Sequence, residues 1–236
     1  MQGAVEAYER ARTDFDHLGK TLLLHLAEDE SLRHLIHSSK YRTKNPDHLH
    51  AKLLRKELSA PAKKGVLTPD NVFSQVDDLA GVRLIHLHTA QLKQIHPAVL
   101  TVFSRNNYKL RAKPFAYCWD LENRELLRSL GIRAIERPEM YTSVHYVISS
   151  PNRPDIRAEL QVRTIMEEVW GEVSHSIDYP EPSPVFICRE QLKALARFTS
   201  GCARLVDCLF ASHDPGAIPP PPFSKAPERP RKAKKP

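Results

Sequence analysis

The chain has 236 residues, 41% of them hydrophobic, enough for one sizeable domain with appendages around a packed core. No apolar run approaches the roughly 18–20 residues needed to span a bilayer, and the N-terminal "MQGAVEAYERARTDF" has no basic-then-apolar signal pattern, so a cytoplasmic protein that meets no membrane is expected. The formal charge of +7 is unevenly placed: the final "SKAPERPRKAKKP" holds six Lys or Arg against one Glu, so the body is close to neutral.

Residues 4–27 have helical spacing, with Val5, Tyr8, Ala11, Phe15, Leu18, Leu22 and Leu26 near one face. A second short helix fits 29–38, and "KYRTK" then reads as a short strand. "NPDHLHAKLLRKEL" follows as a helix, with Pro46 near its first turn and Asp47 near its start. Arg42 and Lys44 share one side of the strand, and Lys52 lies one and a half turns into the helix. Converging cations suit a polyphosphate; a solvated basic face is the plainer alternative.

"VDDLAGVRLI" sets Asp77 and Asp78 immediately before a buried strand, read as "AGVRLIHLHT". A carboxylate at the mouth of a central strand can hold a hard cation such as Mg²⁺, or serve only as a turn residue or cap. The pair His86 and His88 has no third metal ligand nearby and reads as structural. "AQLKQIHPAVLTVFSRN" is helical, with Pro97 expected to start or kink it. "NYKLRAKPFAYC" is a strand or a mobile loop, and "NRELLRSLG" a short helix ending at Gly131.

"IRAIERP", "YTSVHYVISS" and "DIRAELQVR" are three further strands. Tyr141, Ser143 and His145 alternate onto one face, where a ring beside hydrogen-bonding groups can stack on a nucleobase. On the last strand Ala158, Leu160 and Val162 face a core, while Arg157, Glu159, Gln161 and Arg163 share the other side. That polar row is expected to line a pocket, with the Glu159 carboxylate able to bind metal or take a proton. "TIMEEVWGEVSHSI" forms a helix whose Ile165, Val169 and Val173 are expected to meet the sheet, with Met166 and Trp170 beside them and Glu168, Glu172 and His175 on another stripe. A long helix from Cys188 closes the body. The four cysteines form no C-x-x-C pair and read as reduced thiols. The expected fold is α/β or mixed α+β, a sheet with helical layers in which the terminal helices cover the sheet or mediate assembly. The expected domain is 1–212, followed by a proline-rich, basic, disordered tail from 213 to 236.

The ordered set Arg42 and Lys44; Asp78, Gly81 and Arg83; Tyr141, Ser143 and His145; Glu159, Gln161, Arg163 and Thr164; Trp170 and His175 resembles the synthetase domain of the RelA/SpoT family, whose members include small alarmone synthetases. The resemblance covers roughly 38–180. It implies a nucleotidyltransferase-like mixed sheet flanked by helices. It also implies a reaction: the 3′-hydroxyl of GDP or GTP attacks the β-phosphate of ATP, giving (p)ppGpp and AMP. Arg42, Lys44 and Lys52 would bind ATP, Asp78 and Glu159 would be catalytic and hold Mg²⁺, and Tyr141, His145, Gln161 and Arg163 would hold the acceptor.

Some positions depart from the family pattern. Glu139 and Met140 replace the usual Asn-Gly before the tyrosine, Ser174 replaces a Glu, Pro180 a Lys, and His48 a common Ser. The changes fall on the acceptor side. The alternatives are therefore a toxic relative that pyrophosphorylates the tRNA 3′ end or makes an adenosine alarmone, and a non-catalytic nucleotide-binding module. The implied partners are ATP with GDP or GTP, tRNA in the second reading, and a second copy of the chain or an antitoxin. The tail's cations follow a proline-rich spacer, so they can meet a polyanion without being fixed at a reacting phosphate. Deleting residues 214–236 should leave turnover on a mononucleotide acceptor unchanged, as measured by steady-state kinetics on GDP.

Overall fold

The computed structural model describes residues 2–59, 68–178 and 182–213, and for 56–59 the backbone alone. The expected tail from 214 and the Pro180 departure lie outside the described residues. In chain order the elements are α1 (Gln2–Glu28), α2 (Glu30–Arg33), β1 (Ile36–Thr43), α3 (Pro46–Ser59), α4 (Val72–Gln75), β2 (Ala80–His86), a 3₁₀ turn at Thr89–Gln91, α5 (Leu92–Arg105), β3 (Lys109–Leu110), β4 (Phe115–Tyr117), α6 (Leu121–Ser129), β5 (Arg133–Ile135), β6 (Ser143–Ser149), β7 (Arg157–Thr164), α7 (Ile165–Asp178) and α8 (Phe186–His213).

The strands form one mixed sheet in the order β1-β2-β7-β6-β4-β5, with β3 also on β6. β2 and β7 run parallel, as do β4 and β5; the other pairs are antiparallel. This is the expected mixed α/β architecture. Alternation divides β7 cleanly. Ala158, Leu160 and Val162 are buried in the core with Tyr8, Phe15, Leu22 and Leu26 of α1. Burying each such large side chain stabilises by about 1.5–3 kcal/mol. The opposite face of the sheet carries the polar row.

Local sequence explains most boundaries. The Asp29 carboxylate accepts from the backbone N–H groups of Ser31 and Leu32 and caps α2. Asn45, not Asp47, caps α3, accepting from the Asp47 and His48 N–H groups. Asp120 caps α6, and Gly131 ends it in the left-handed conformation at φ 73°, where the Ile132 N–H reaches the Leu127 carbonyl. The His86 ring bonds to the His88 carbonyl and the His88 ring to Asp207, so both histidines tie the end of β2 into the fold. All four cysteines are free thiols. No helix among the described residues is long and apolar enough to cross a membrane.

Four expectations are corrected. The helix expected over 29–38 stops at Arg33, because Ile36 onward pairs with β2. Of the two roles expected of Pro97, starting the helix is overturned: α5 begins at Leu92, from a turn in which the Gln91 side chain accepts from the Leu87 and His88 N–H groups. The helix α8 continues through His213, one residue into the range assigned to the tail. The stripe of α7 that meets the sheet is a different one: Val169 and Val173 are 47% and 36% exposed and Glu168 is buried, while Trp170 is buried with its ring N–H on the Leu192 carbonyl of α8. The face of the sheet beneath α7 is the polar one, so a carboxylate that pairs with its cations is favoured there over a methyl stripe.

The N-terminus of α7 is a reciprocal capping box. The Thr164 N–H donates to Glu167 at 2.7 Å, and the Glu167 N–H donates to the Thr164 hydroxyl at 3.2 Å. Burial raises the Glu167 carboxyl from 4.5 to about 7, against the Thr164 hydrogen bonds. The unfolded chain therefore loses this proton first as pH rises, and stability falls between about pH 4.5 and 7, by at most about 3 kcal/mol given the partial exposure of the side chain. Glu167→Gln has nothing to ionise there. Its stability relative to the parent should rise from pH 5 to pH 8 in urea denaturation.

Candidate active site

Every side chain of the site stands on the polar face of the sheet or at its edge. Register sets their order. Arg42 on β1 lies opposite Gly81 on β2, Gly81 opposite Glu159 on β7, and Gln161 opposite His145 on β6. His145 in turn lies opposite Phe115 on β4. A cavity of about 60 Å³ opens between β1, β2 and β7, lined by Lys40, Arg42, Asp78, Gly81, Arg83, Glu159 and Gln161.

At one end Asp78 is gripped by two lysines. Lys44 Nζ and Lys52 Nζ each lie 2.6 Å from a different carboxylate oxygen. Burial alone would raise the Asp78 pKa, but the Lys52 and Lys44 ammonium groups outweigh it and hold the carboxyl far below its usual range. Burial lowers the Lys44 pKa even against the Asp78 charge.

Glu159 is held differently. Its two oxygens meet His145 Nδ1 at 2.9 Å and the Gln161 amide N–H at 2.8 Å. Burial would raise this carboxyl as well, yet the His145 interactions keep it lowered, while the Asp78 charge acts against them. The two carboxylates thus share one cavity and feel each other. The other ring nitrogen of His145, Nε2, is buried without a partner among the described residues.

The acceptor candidates form a packed aromatic group. The His145 ring stacks on Phe115 with centroids 5.1 Å apart and an 8° interplanar angle. Tyr117 meets His145 edge-on at 5.0 Å, and Tyr141 lies 5.9 Å from both. The Tyr141 hydroxyl donates to Gln161 Oε1 at 3.4 Å, and burial raises its pKa, keeping it a phenol.

The polar row of β7 is split. Glu159 and Gln161 line the cavity. Arg157 turns to the Ser74 carbonyl and Asp77, bracing α4. Arg163 is buried 2.6 Å from Glu168, a close ion pair without hydrogen-bond alignment, with its guanidinium 5.9 Å from the Tyr141 ring. His175, in the last turn of α7, has its pKa lowered by burial and by Arg42.

Sequence reasoning missed five contributors. Glu168 and Glu172 of α7 pair with Arg83 at 2.8 and 2.6 Å and with Lys40 at 2.7 and 3.1 Å. Against the effect of burial, Lys40 and Arg83 pull Glu172 down to about 2. Phe115, Tyr117 and Arg137 complete the aromatic end. The one available signal was the alternation of rings in "FAY".

Among the described residues no group of three or more His, Cys, Asp and Glu side chains could enclose a metal ion. Each oxygen of the ionised Asp78 is engaged by a lysine, so a cation arriving with a polyphosphate would take a carboxylate oxygen as the phosphates take a lysine, with phosphate oxygens and water filling the rest.

The fold is shared with solved enzymes. The small alarmone synthetase 1 from Bacillus subtilis matches at 16% identity over 87% of this chain and 97% of its own, with a TM-score of 0.62. The same enzyme bound to its product pppGpp matches at 16% over 88% and 98%, with a TM-score of 0.62. Bound to AMPCPP it matches at 14% over 88% and 98%, with a TM-score of 0.59. No curated protein matches the sequence. Residues 41–183 match the family described as "Region found in RelA / SpoT proteins". The chain belongs to the RelA/SpoT family.

The turn before Tyr141 holds a residue with a Cβ in the left-handed region. Met140 stands at φ 61° in a turn closed by its N–H to the Arg137 carbonyl. The left-handed conformation costs a residue with a Cβ about 1–2 kcal/mol. Met140→Gly relieves that, partly offset by glycine's greater freedom when unfolded. The variant should be more stable by about 0.5–1 kcal/mol, read from the urea midpoint.

Proposed function

We propose that the chain transfers pyrophosphate from ATP to the 3′-hydroxyl of GDP or GTP, making (p)ppGpp and AMP. The observation that carries this reading is the shared cavity of Asp78 and Glu159, rimmed by Arg42, Arg83 and Lys40 and continuous along the sheet with the Tyr141–His145 rings. Cations on the β1–β2 side suit a triphosphate, and rings on the β6 side suit a base. The related Bacillus enzyme bound to AMPCPP and to pppGpp supports nucleotides in both roles.

In this reading Arg42, Lys44 and Lys52 neutralise the donor's phosphate oxygens, and Tyr141 carries the acceptor base. The acceptor 3′-oxygen bonds to the β-phosphorus, the bond to the α-phosphate oxygen breaks, and AMP leaves. Glu159 takes the hydroxyl proton, with His145 and Gln161 fixing the direction of its oxygens. Asp78 would hold Mg²⁺, whose charge would offset that gathering on the phosphates. A tRNA 3′ end or an adenosine nucleotide is the second acceptor reading, favoured by the altered turn, in which Met140 has a positive φ and Glu139 is exposed.

The test is incubation of the purified chain with γ-labelled ATP and each acceptor. Label on GDP or GTP is expected; label on tRNA alone would overturn the guanine acceptor and keep the transfer chemistry. Glu159→Gln should lower transfer by about a hundredfold, the scale for removing one charge-stabilising group. Asp78→Asn should do the same and also lower stability by about 3 kcal/mol, because Lys44, 7% exposed, is left buried without its counter-ion. Near-normal turnover in either variant would place the chemistry elsewhere.

A further inference from the structure

Two carboxylates of α7, one turn apart, stand over the cationic rim of the cavity, and they are held differently. Glu168 is buried and shared by three cations: Lys40 at 2.7 Å, Arg83 at 2.8 Å and the buried Arg163 at 2.6 Å. Glu172 has a side chain 56% exposed and meets the two rim cations, Arg83 at 2.6 Å and Lys40 at 3.1 Å. Both acids reach the same Arg83 nitrogen. Withdrawing Glu172 therefore leaves Arg83 and Lys40 anchored by Glu168 and releases the N–H donors that Glu172 occupies. Withdrawing Glu168 strands Arg163 instead.

Lys40 and Arg83 line the cavity beside Arg42, Asp78 and Glu159. A carboxylate resting on them competes with any anion that needs the same donors. Against the effect of burial, Lys40 and Arg83 keep Glu172 ionised far below neutral pH, so the competitor is always charged. An exposed ion pair is weak, which makes this one displaceable. We infer that Glu172 is a resting counter-ion of the donor site, displaced from Arg83 and Lys40 by the phosphate chain of ATP, and that it thereby limits the affinity for ATP. Glu168 is the positioning residue that keeps both cations in place during the exchange. The inference rests on the proposed donor reading, which puts the phosphates of ATP on the β1–β2 side.

The test measures ATP binding by calorimetry without acceptor, and the KM for ATP and for GDP in transfer, for the full chain, Glu172→Gln and Glu168→Gln. Glu172→Gln should bind ATP about three- to fivefold more tightly, the scale of one exposed ion pair, and lower the KM for ATP to match. Its KM for GDP should move by less than about twofold. Glu168→Gln should do the reverse, weakening ATP and lowering the urea midpoint, because it removes the anchor of both cations and leaves Arg163 buried without its counter-ion. Weaker ATP binding in Glu172→Gln would show that Glu172 aligns Arg83 for the phosphates and would overturn the inference. So would unchanged ATP binding, equal tightening for ATP and GDP, which is a general charge effect, or tightening by Glu168→Gln as large as that by Glu172→Gln. The binding measurement needs no acceptor, so it decides the inference even where transfer to GDP and GTP fails, an outcome that overturns the proposed guanine acceptor alone. No ATP binding by the parent would overturn the proposed function and the inference together.

Discussion

A buried ammonium group, Lys44, constrains the donor end of the molecule. It follows β1 directly, its backbone N–H donates to the Leu79 carbonyl, and its own carbonyl accepts the Tyr8 hydroxyl from α1 at 2.7 Å. Its side chain meets Asp78 at the mouth of β2, where Lys52 arrives from α3. One ion pair therefore joins α1, β1, α3 and β2. A buried pair of this kind adds little net stability over apolar packing, but removing one partner is costly. Two lysines hold this one carboxylate, so on the proposed reading a polyphosphate could draw on one of them without leaving Asp78 uncompensated.

The same logic sets the orientation of α7. Lys40, Arg83 and Arg163 stand on the sheet face it covers, and Glu168 and Glu172 are their resting counter-ions. The helix must turn this acidic stripe inward, which leaves Val169, Val173 and Ile177 partly exposed outside. Binding of an anion at Lys40 or Arg83 would exchange a carboxylate for a phosphate. Because Glu172 is half-exposed, releasing it to water costs less than releasing Glu168, which is also tied to the buried Arg163.

Much of the fold was legible in the sequence because its signals are local. The α1 stripe of Tyr8, Phe15, Leu22 and Leu26, the αL glycine at 131 and the alternation of Ala158, Leu160 and Val162 each depend on neighbours within a turn or a strand. The site was legible only as separate pieces. The pairing of His145 with Glu159 depends on the register of β6 against β7, and that of Arg83 with Glu168 on how a helix lies across a sheet. The reading of α7 failed for this reason: periodicity identifies an apolar stripe, but the chemistry of the opposing surface decides whether that stripe faces in. Likewise the helix expected over 29–38 lost to the strand partner that β2 offered, a partner more than forty residues away.

The aromatic end, the acceptor side on the proposed reading, differs in kind from the charged end. Around Asp78 the groups are charged, and ionic competition can open them. Around Tyr141 they are rings packed at tilted angles, and a base bound there would replace ring–ring contacts with base–ring contacts of similar strength, about 1 kcal/mol each. That exchange is close to neutral, so stacking alone discriminates poorly among bases. Specificity must come from groups with directional demands. Two groups at this end are candidates: the buried Nε2 of His145, without a partner among the described residues, and the N–H edge of Arg137 over Tyr117. The first is fixed by Glu159 of β7 and the second by Tyr117 of β4, so each is oriented by a neighbour on a strand other than its own segment. Strand register, more than any single side chain, therefore sets the spacing between these groups.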